Sequence, residues 1–287
     1  MNAETATADQ EQQGRTTAPD VLEIIGAATV LTGVAIGQCA KAVGRTFKSA
    51  YDSVDPDVRR NVAWIPALGL TRLVSRVEDV QQLPDDEHRP VVFVHGWGCH
   101  PAHFAGFRQY FGLMGRTRTY AIDLTELDSL DEMAERLQAF IAEVVRCNEL
   151  GGEEQIDLVG FSMGGVVARL ALQDDETRDR IATLVTMGSP HSGTYLARLA
   201  ATPLTVELRP GSPAMDRLQE LQAMQDAPDG PRLVALWSPA DTVILPAEGA
   251  RLDGAVNIQL DEQTHFGFLL HPRSWEAVLR ILDDEPA

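Results

Sequence analysis

The pentapeptide Gly160-Phe161-Ser162-Met163-Gly164 constrains this chain more than any other stretch, because of what flanks it. Before it stands the apolar run Ile156-Asp157-Leu158-Val159. After it, Gly165, Val166, Val167, Ala168, Leu170, Ala171 and Leu172 have helical spacing and are good helix formers. A G-x-S-x-G between a strand and a helix forces the serine onto a sharp turn with strained backbone angles. Small residues two before and two after it let the neighbouring elements come close. The hydroxyl is then held in the open, and the free N–H groups of the helix N-terminus point at any anion that forms there. Ser162 is therefore expected as a nucleophile toward a carbonyl, provided the strand–turn–helix setting is real.

From about residue 88 the chain alternates strand and helix patterns. Val91-Val92-Phe93-Val94 reads as a fully buried parallel strand. Pro101 to Met114 reads as a helix, and Thr119 to Leu124 as the next strand. Ser129 with Glu132 has the spacing of a capping box, opening a helix whose Leu130, Met133, Ala134, Leu137, Phe140, Ile141 and Val144 share one face. Ile156–Val159, Ile181–Met187, Leu233–Trp237 and Ala255–Leu260 read as further strands, and the last helix runs from about Pro272 to Leu282. Such alternation predicts an α/β fold, a mainly parallel sheet with helices on both faces. Chemistry in such sheets gathers at the carboxyl ends of the strands.

Three signals lie at predicted strand ends. His95-Gly96-Trp97-Gly98 follows the first strand, where glycines let the backbone approach a substrate. The N–H groups of Trp97 and Met163 are expected to hold an oxyanion, with His95 holding the loop rather than transferring protons. Asp241 follows Trp237-Ser238-Pro239-Ala240 and is placed to orient an imidazole; Asp253 and Asp261 compete for that role. His265 follows the strand Ala255–Leu260 and can serve as general base, with His271 the rival.

Composition limits the partners. The formal charge of -18 argues against nucleic acid, since phosphate contact needs clustered Lys and Arg, and against electrostatic attachment to anionic lipid. Only Lys41 and Lys48 are lysines. Cys39, Cys99 and Cys147 are odd in number and widely spaced, which indicates neither a disulfide framework nor a zinc site.

The N-terminal third reads differently. Residues 1–20 are polar and expected to be disordered. Residues 21–87 read as a helical extension. Within it, Ile24 to Ala40 carries no formal charge and is at the short limit for a bilayer span; a soluble, Ala/Gly-rich helix packed on the body is expected first, with a membrane-associated helix over 22–40 as the alternative. Gly33 and Gly37 form a G-x-x-x-G. The acidic residues before this segment match a cleavable signal poorly, so a cytoplasmic or membrane-associated location is expected.

Val94-His95-Gly96-Trp97-Gly98, Asp157 through Gly165, and Met187-Gly188-Ser189-Pro190-His191-Ser192-Gly193-Thr194 resemble bacterial triacylglycerol lipases and related esterases of the α/β-hydrolase superfamily. The resemblance spans roughly residues 88–283. It implies an α/β-hydrolase catalytic domain over 88–287 and hydrolysis of a lipid or small ester through an acyl-enzyme. No cofactor is implied; calcium is open. It matches Ser162 to the nucleophile, Asp241 to the acid, His265 to the base, and Met163 with the residue after His95-Gly96 to the oxyanion donors. His191 matches a position that supports the site. Residues 195–231, rich in proline, are a candidate cap or a surface helix pair. An acyltransferase using the same residues, or a silent fold binding a lipid or partner protein, are the alternatives. Oligomeric state is not encoded in any motif.

Overall fold

The computed structural model describes residues 80–225 and 230–284. The expectations for residues 1–79, including the tail 1–20 and the segment 22–40, lie outside the described residues. Residues 80–87 are irregular rather than helical.

Six strands form one parallel sheet in the order β2-β1-β3-β4-β5-β6. They are β1 (Val91–Val94), β2 (Thr119–Ile122), β3 (Ile156–Phe161), β4 (Ile181–Met187), β5 (Arg232–Trp237) and β6 (Val256–Gln259). All five pairings are parallel. The helices are α1 (Ala105–Leu113), α2 (Leu130–Cys147), α3 (Met163–Ala171), α4 (Asp175–Asp179), α5 (Pro203–Glu207), α6 (Pro213–Gln225), α7 (Gly267–Leu270) and α8 (Pro272–Leu282).

Strand alternation divides the core into two layers. Val92 and Val94 face one layer with Leu137, Ile141 and Val144 of α2 and Val166, Val167 and Leu170 of α3. Val91 and Phe93 face the other, with Phe107 and Phe111 of α1 and Val278 and Ile281 of α8. Phe93 stacks on Phe104 with ring centroids 4.8 Å apart. Both faces of the central strands are thus covered, which is why they read as continuous apolar runs.

Asp157 interrupts such a run, and the end of the sheet away from Ser162 explains it. Its carboxylate is fully buried and meets Arg89 Nε at 3.0 Å and Arg116 Nη1 at 3.4 Å. Burial pushes this carboxyl upward while the two guanidiniums pull against it. Arg116 also donates to Leu282 O at 2.9 Å and pairs with Asp283, tying the last helix to the strand.

Two local readings are corrected. Pro101–Phe104 is a separate 3-10 turn, capped by His100, and the α-helix starts only at Ala105. Ser129 occupies the N-cap of α2 but its side chain makes no capping bond. The N–H of Leu130 instead donates to Glu207 Oε2, 2.8 Å away, from a helix 77 residues later. A carboxylate at that end also suits the helix dipole.

The stretch after β4 is packed into the body. Leu204, Leu208, Met215 and Leu218 are buried in the layer that holds α2 and α3. Arg169, itself buried, donates to Leu218 O at 2.9 Å, and Thr194 donates its N–H to Leu208 O at 2.9 Å.

Candidate active site

Ser162 stands on the turn between β3 and α3 with φ 53° and ψ -125°. For a non-glycine residue this is a strained backbone, held by surroundings that leave no alternative. Its N–H donates to Met187 O at 2.9 Å, and its carbonyl receives Gly165 N–H at 3.0 Å. The glycines are required by contact. A Cβ on Gly164 would lie 2.1 Å from Val94 O, and one on Gly160 would lie 2.6 Å from Gly165 Cα.

His265 and Asp241 reach this serine from the β6 and β5 ends of the sheet. His265 Nε2 lies 3.1 Å from Ser162 Oγ, and its Nδ1 lies 2.8 Å from Asp241 Oδ2. The other carboxylate oxygen of Asp241 accepts the N–H groups of Val243 at 2.8 Å and Ile244 at 3.1 Å. Both side chains are buried. With Oδ2 accepting from Nδ1–H, Nε2 presents its lone pair to the serine hydroxyl; this tautomer follows from the bonding pattern. The Phe161 ring packs on the imidazole at 4.9 Å between centroids. The rivals lie elsewhere. His271 caps α8, accepting Arg273 N–H, and Asp253 and Asp261 are exposed.

The loop after β1 closes over the serine. A Cβ on Gly96 would stand 2.9 Å from Ser162 Cβ, so this backbone touches the nucleophile's own side chain. His95 is buried. Its Nε2 accepts Leu124 N–H at 3.0 Å, which makes Nδ1–H the donor to Gly96 O at 3.0 Å. Gly96 O also accepts Cys99 N–H at 3.1 Å. In a planar trans peptide the Trp97 N–H points opposite to that twice-bonded carbonyl. Asp123 lies 3.8 Å from the His95 ring and accepts the N–H of Thr125 at 2.9 Å. The Trp97 side chain itself is half exposed.

His191 makes no hydrogen bond to Ser162 or His265. Its Nε2 meets Thr186 Oγ1 at 3.0 Å, and its Nδ1 is buried without a hydrogen-bond partner. Burial, assisted by the positive Arg169, drives its pKa well below the usual value, so the ring stays neutral. Cys99 is also buried, and its thiol is pushed up to about 12, which rules it out as a competing thiolate at neutral pH.

A cavity of about 180 Å³ opens beside Met163, between the loops after β1 and β2 and helix α5. Of its walls, the sequence pointed only to the loop from His95 to Gly98 and to Met163. Among the described residues no group of three or more His, Cys, Asp or Glu side chains is gathered as a metal site, and no helix is long and apolar enough to cross a membrane.

A parallel sheet carrying a strained serine at the β3–α3 turn, with an acid and a histidine arriving later in that order, is the α/β-hydrolase fold. Residues 90–227 match the model of the palmitoyl protein thioesterase family. Among solved structures the chain is similar to Aspergillus fumigatus lipase B, with TM-score 0.59 and 17% identity over 74% of this chain and 57% of that one. It is similar to a mature Bacillus licheniformis lipase, with TM-score 0.57 and 17% identity over 71% of this chain and 96% of that one. It also resembles a bacterial membrane phospholipase A, with TM-score 0.51 and 18% identity over 77% of this chain and 92% of that one. The chain thus spans little more than half the length of the Aspergillus lipase.

Proposed function

We propose that this chain is a serine carboxylester hydrolase acting on a lipid or small ester. The observation that carries the reading is the line from Asp241 through His265 to Ser162, at 2.8 and 3.1 Å. Ser162 Oγ bonds to the ester carbonyl carbon as its proton passes to His265 Nε2. Asp241 keeps the imidazole oriented and stabilises its charge. The carbonyl oxygen, now an oxyanion, accepts from the N–H groups of Met163 and Trp97. The carbon–oxygen bond to the alcohol breaks, and the alcohol leaves with the proton from His265. Water then gives its proton to His265, attacks the acyl-enzyme, and frees the acid and the serine.

A thioester is the second reading, favoured by the family match over residues 90–227. It needs the same groups, because a thiolate leaves more readily than an alkoxide. We propose no metal or cofactor requirement for either route, and EDTA added to the assay tests for a calcium need.

The deciding experiment labels the purified protein with a fluorophosphonate and measures hydrolysis of p-nitrophenyl esters. The expected result is covalent label on Ser162 and ester turnover, both lost in Ser162→Ala. Turnover surviving in that variant at the native rate would overturn the assignment, and added alcohol or amine capturing most of the acyl group would make the protein an acyltransferase instead.

A further inference from the structure

We infer that Thr194 is a positioning residue for Asp241: its hydroxyl pins the turn whose backbone aims the carboxylate at His265. The inference rests on the serine-hydrolase reading above.

The buried carboxylate of Asp241 takes its direction from backbone. Its Oδ1 accepts the N–H groups of Val243 and Ile244 at 2.8 and 3.1 Å, which leaves Oδ2 facing His265 Nδ1 at 2.8 Å. That backbone is gripped in turn by Thr194, which stands 49 residues before Val243. Thr194 Oγ1 donates to Val243 O at 2.8 Å and accepts Leu245 N–H at 2.9 Å. Val243 O and Ile244 N–H belong to one peptide unit, and in a planar trans peptide they point opposite ways. One rigid plate therefore carries the hydroxyl of Thr194 on one edge and the carboxylate of Asp241 on the other. The chain of bonds runs from Thr194 through this peptide to Asp241, His265 and Ser162. Bonds linked in this way polarise one another.

The hydroxyl is held where it stands. Thr194 is buried, and a β-branched side chain is stiff about its first torsion. Gly193 before it has φ 78°, and a Cβ there would lie 2.6 Å from Pro210 N. Tyr195 N–H donates to Leu245 O at 3.0 Å, a second stitch to the turn after Asp241. Thr194 also caps the 3-10 turn Tyr195–Leu199, accepting Leu196 N–H at 3.3 Å. A hydroxyl has one hydrogen to give and two lone pairs, and all three are engaged. Capping alone would need only the bond to Leu196, the longest of the three. The two shorter bonds both go to the turn that holds Asp241.

The test compares Thr194→Val, which keeps the shape and deletes the hydroxyl, with Thr194→Ser, which keeps the hydroxyl. Both are made in the native chain and together with Asp241→Asn. Thr194→Ala replaces the valine variant if that one does not unfold cooperatively. Hydrolysis of p-nitrophenyl butyrate and the rate of fluorophosphonate labelling at Ser162 are read well below each Tm. In the native chain Thr194→Val should lower kcat by about tenfold or more and change KM by less than about twofold, since a small misplacement far from the chemistry reaches about 10²-fold. Thr194→Ser should recover most of the loss. With Asp241→Asn already present, Thr194→Val should slow labelling by less than about threefold, because the carboxylate through which it acts is gone. A folded Thr194→Val with native kcat, equal losses in the valine and serine variants, or an undiminished loss beside Asp241→Asn overturns the positioning role and leaves the hydrolase reading standing. Absence of label on native Ser162 removes the hydrolase reading and the positioning role together.

Discussion

The imidazole of His95 turns back on its own chain and donates Nδ1–H to the carbonyl of Gly96, 3.0 Å away. That bond fixes the peptide whose N–H belongs to Trp97. Under the proposed mechanism His95 is a positioning residue, acting on the oxyanion through the backbone. His95→Ala should lower kcat by about 10²-fold, the scale of losing one oxyanion donor, while KM changes little. His95→Asn keeps a donor at the same place and should recover part of the loss. Steady-state kinetics on the two variants check this; equal losses in both, matched by equal falls in Tm, would reduce His95 to a packing residue.

Asp241 should matter to rate far more than to folding. Asp241→Asn preserves an oxygen that can accept from Val243 and Ile244 N–H. It presents His265 with the wrong tautomer, and the expected fall in kcat is about 10⁴-fold by the precedent of serine proteases. A pH–rate profile and a thermal melt on the same sample separate the two effects.

Two contacts join the segment after β4 to helix α2, and they should differ in weight. Glu207 bonds the backbone of Leu130 at the helix start, and Glu207→Ala should cost about 1 kcal/mol, as lost caps do. Arg217 pairs with Asp131 on the surface, where water screens the charges, and Arg217→Ala should cost well under that. Urea denaturation of both variants gives the comparison; an Arg217 effect larger than that of Glu207 would contradict it.

His191 should make stability depend on pH. Its pKa is near 6.5 in the unfolded chain and well below that when folded. The unfolded state therefore binds the extra proton. Stability is fully present above pH 6.5 and is lost as pH falls below it, by up to about 1.4 kcal/mol per pH unit. Removing the ring in His191→Gln should flatten the stability curve in that window relative to the native chain. Denaturant unfolding from pH 8 to pH 5 reads it directly.

The sheet and its serine are readable in the sequence because both are local matters. A buried parallel strand is a short apolar run, and Gly160 and Gly164 announce the close approach that their contacts require. Asp241 and His265 are readable because a parallel sheet delivers the residues after its strands to one edge. No tertiary contact has to be foreseen for this; order along the chain suffices. The cap on α2 is not readable. Ser129 has the right spacing, yet the bond comes from Glu207, and no periodicity links residues so far apart. The same holds for Leu204, which lines one cavity with Met163, and for the bond that His95 makes to Leu124 across two loops.

Leu204 has a further consequence. It belongs to a short helix outside the sheet, whereas Ser162, Asp241 and His265 are carried by strand ends. The residues of the proposed chemistry are therefore written apart from the helix that walls the neighbouring cavity. A lineage could exchange the short helix for a longer or shallower one and leave the line from Asp241 through His265 to Ser162 as it was.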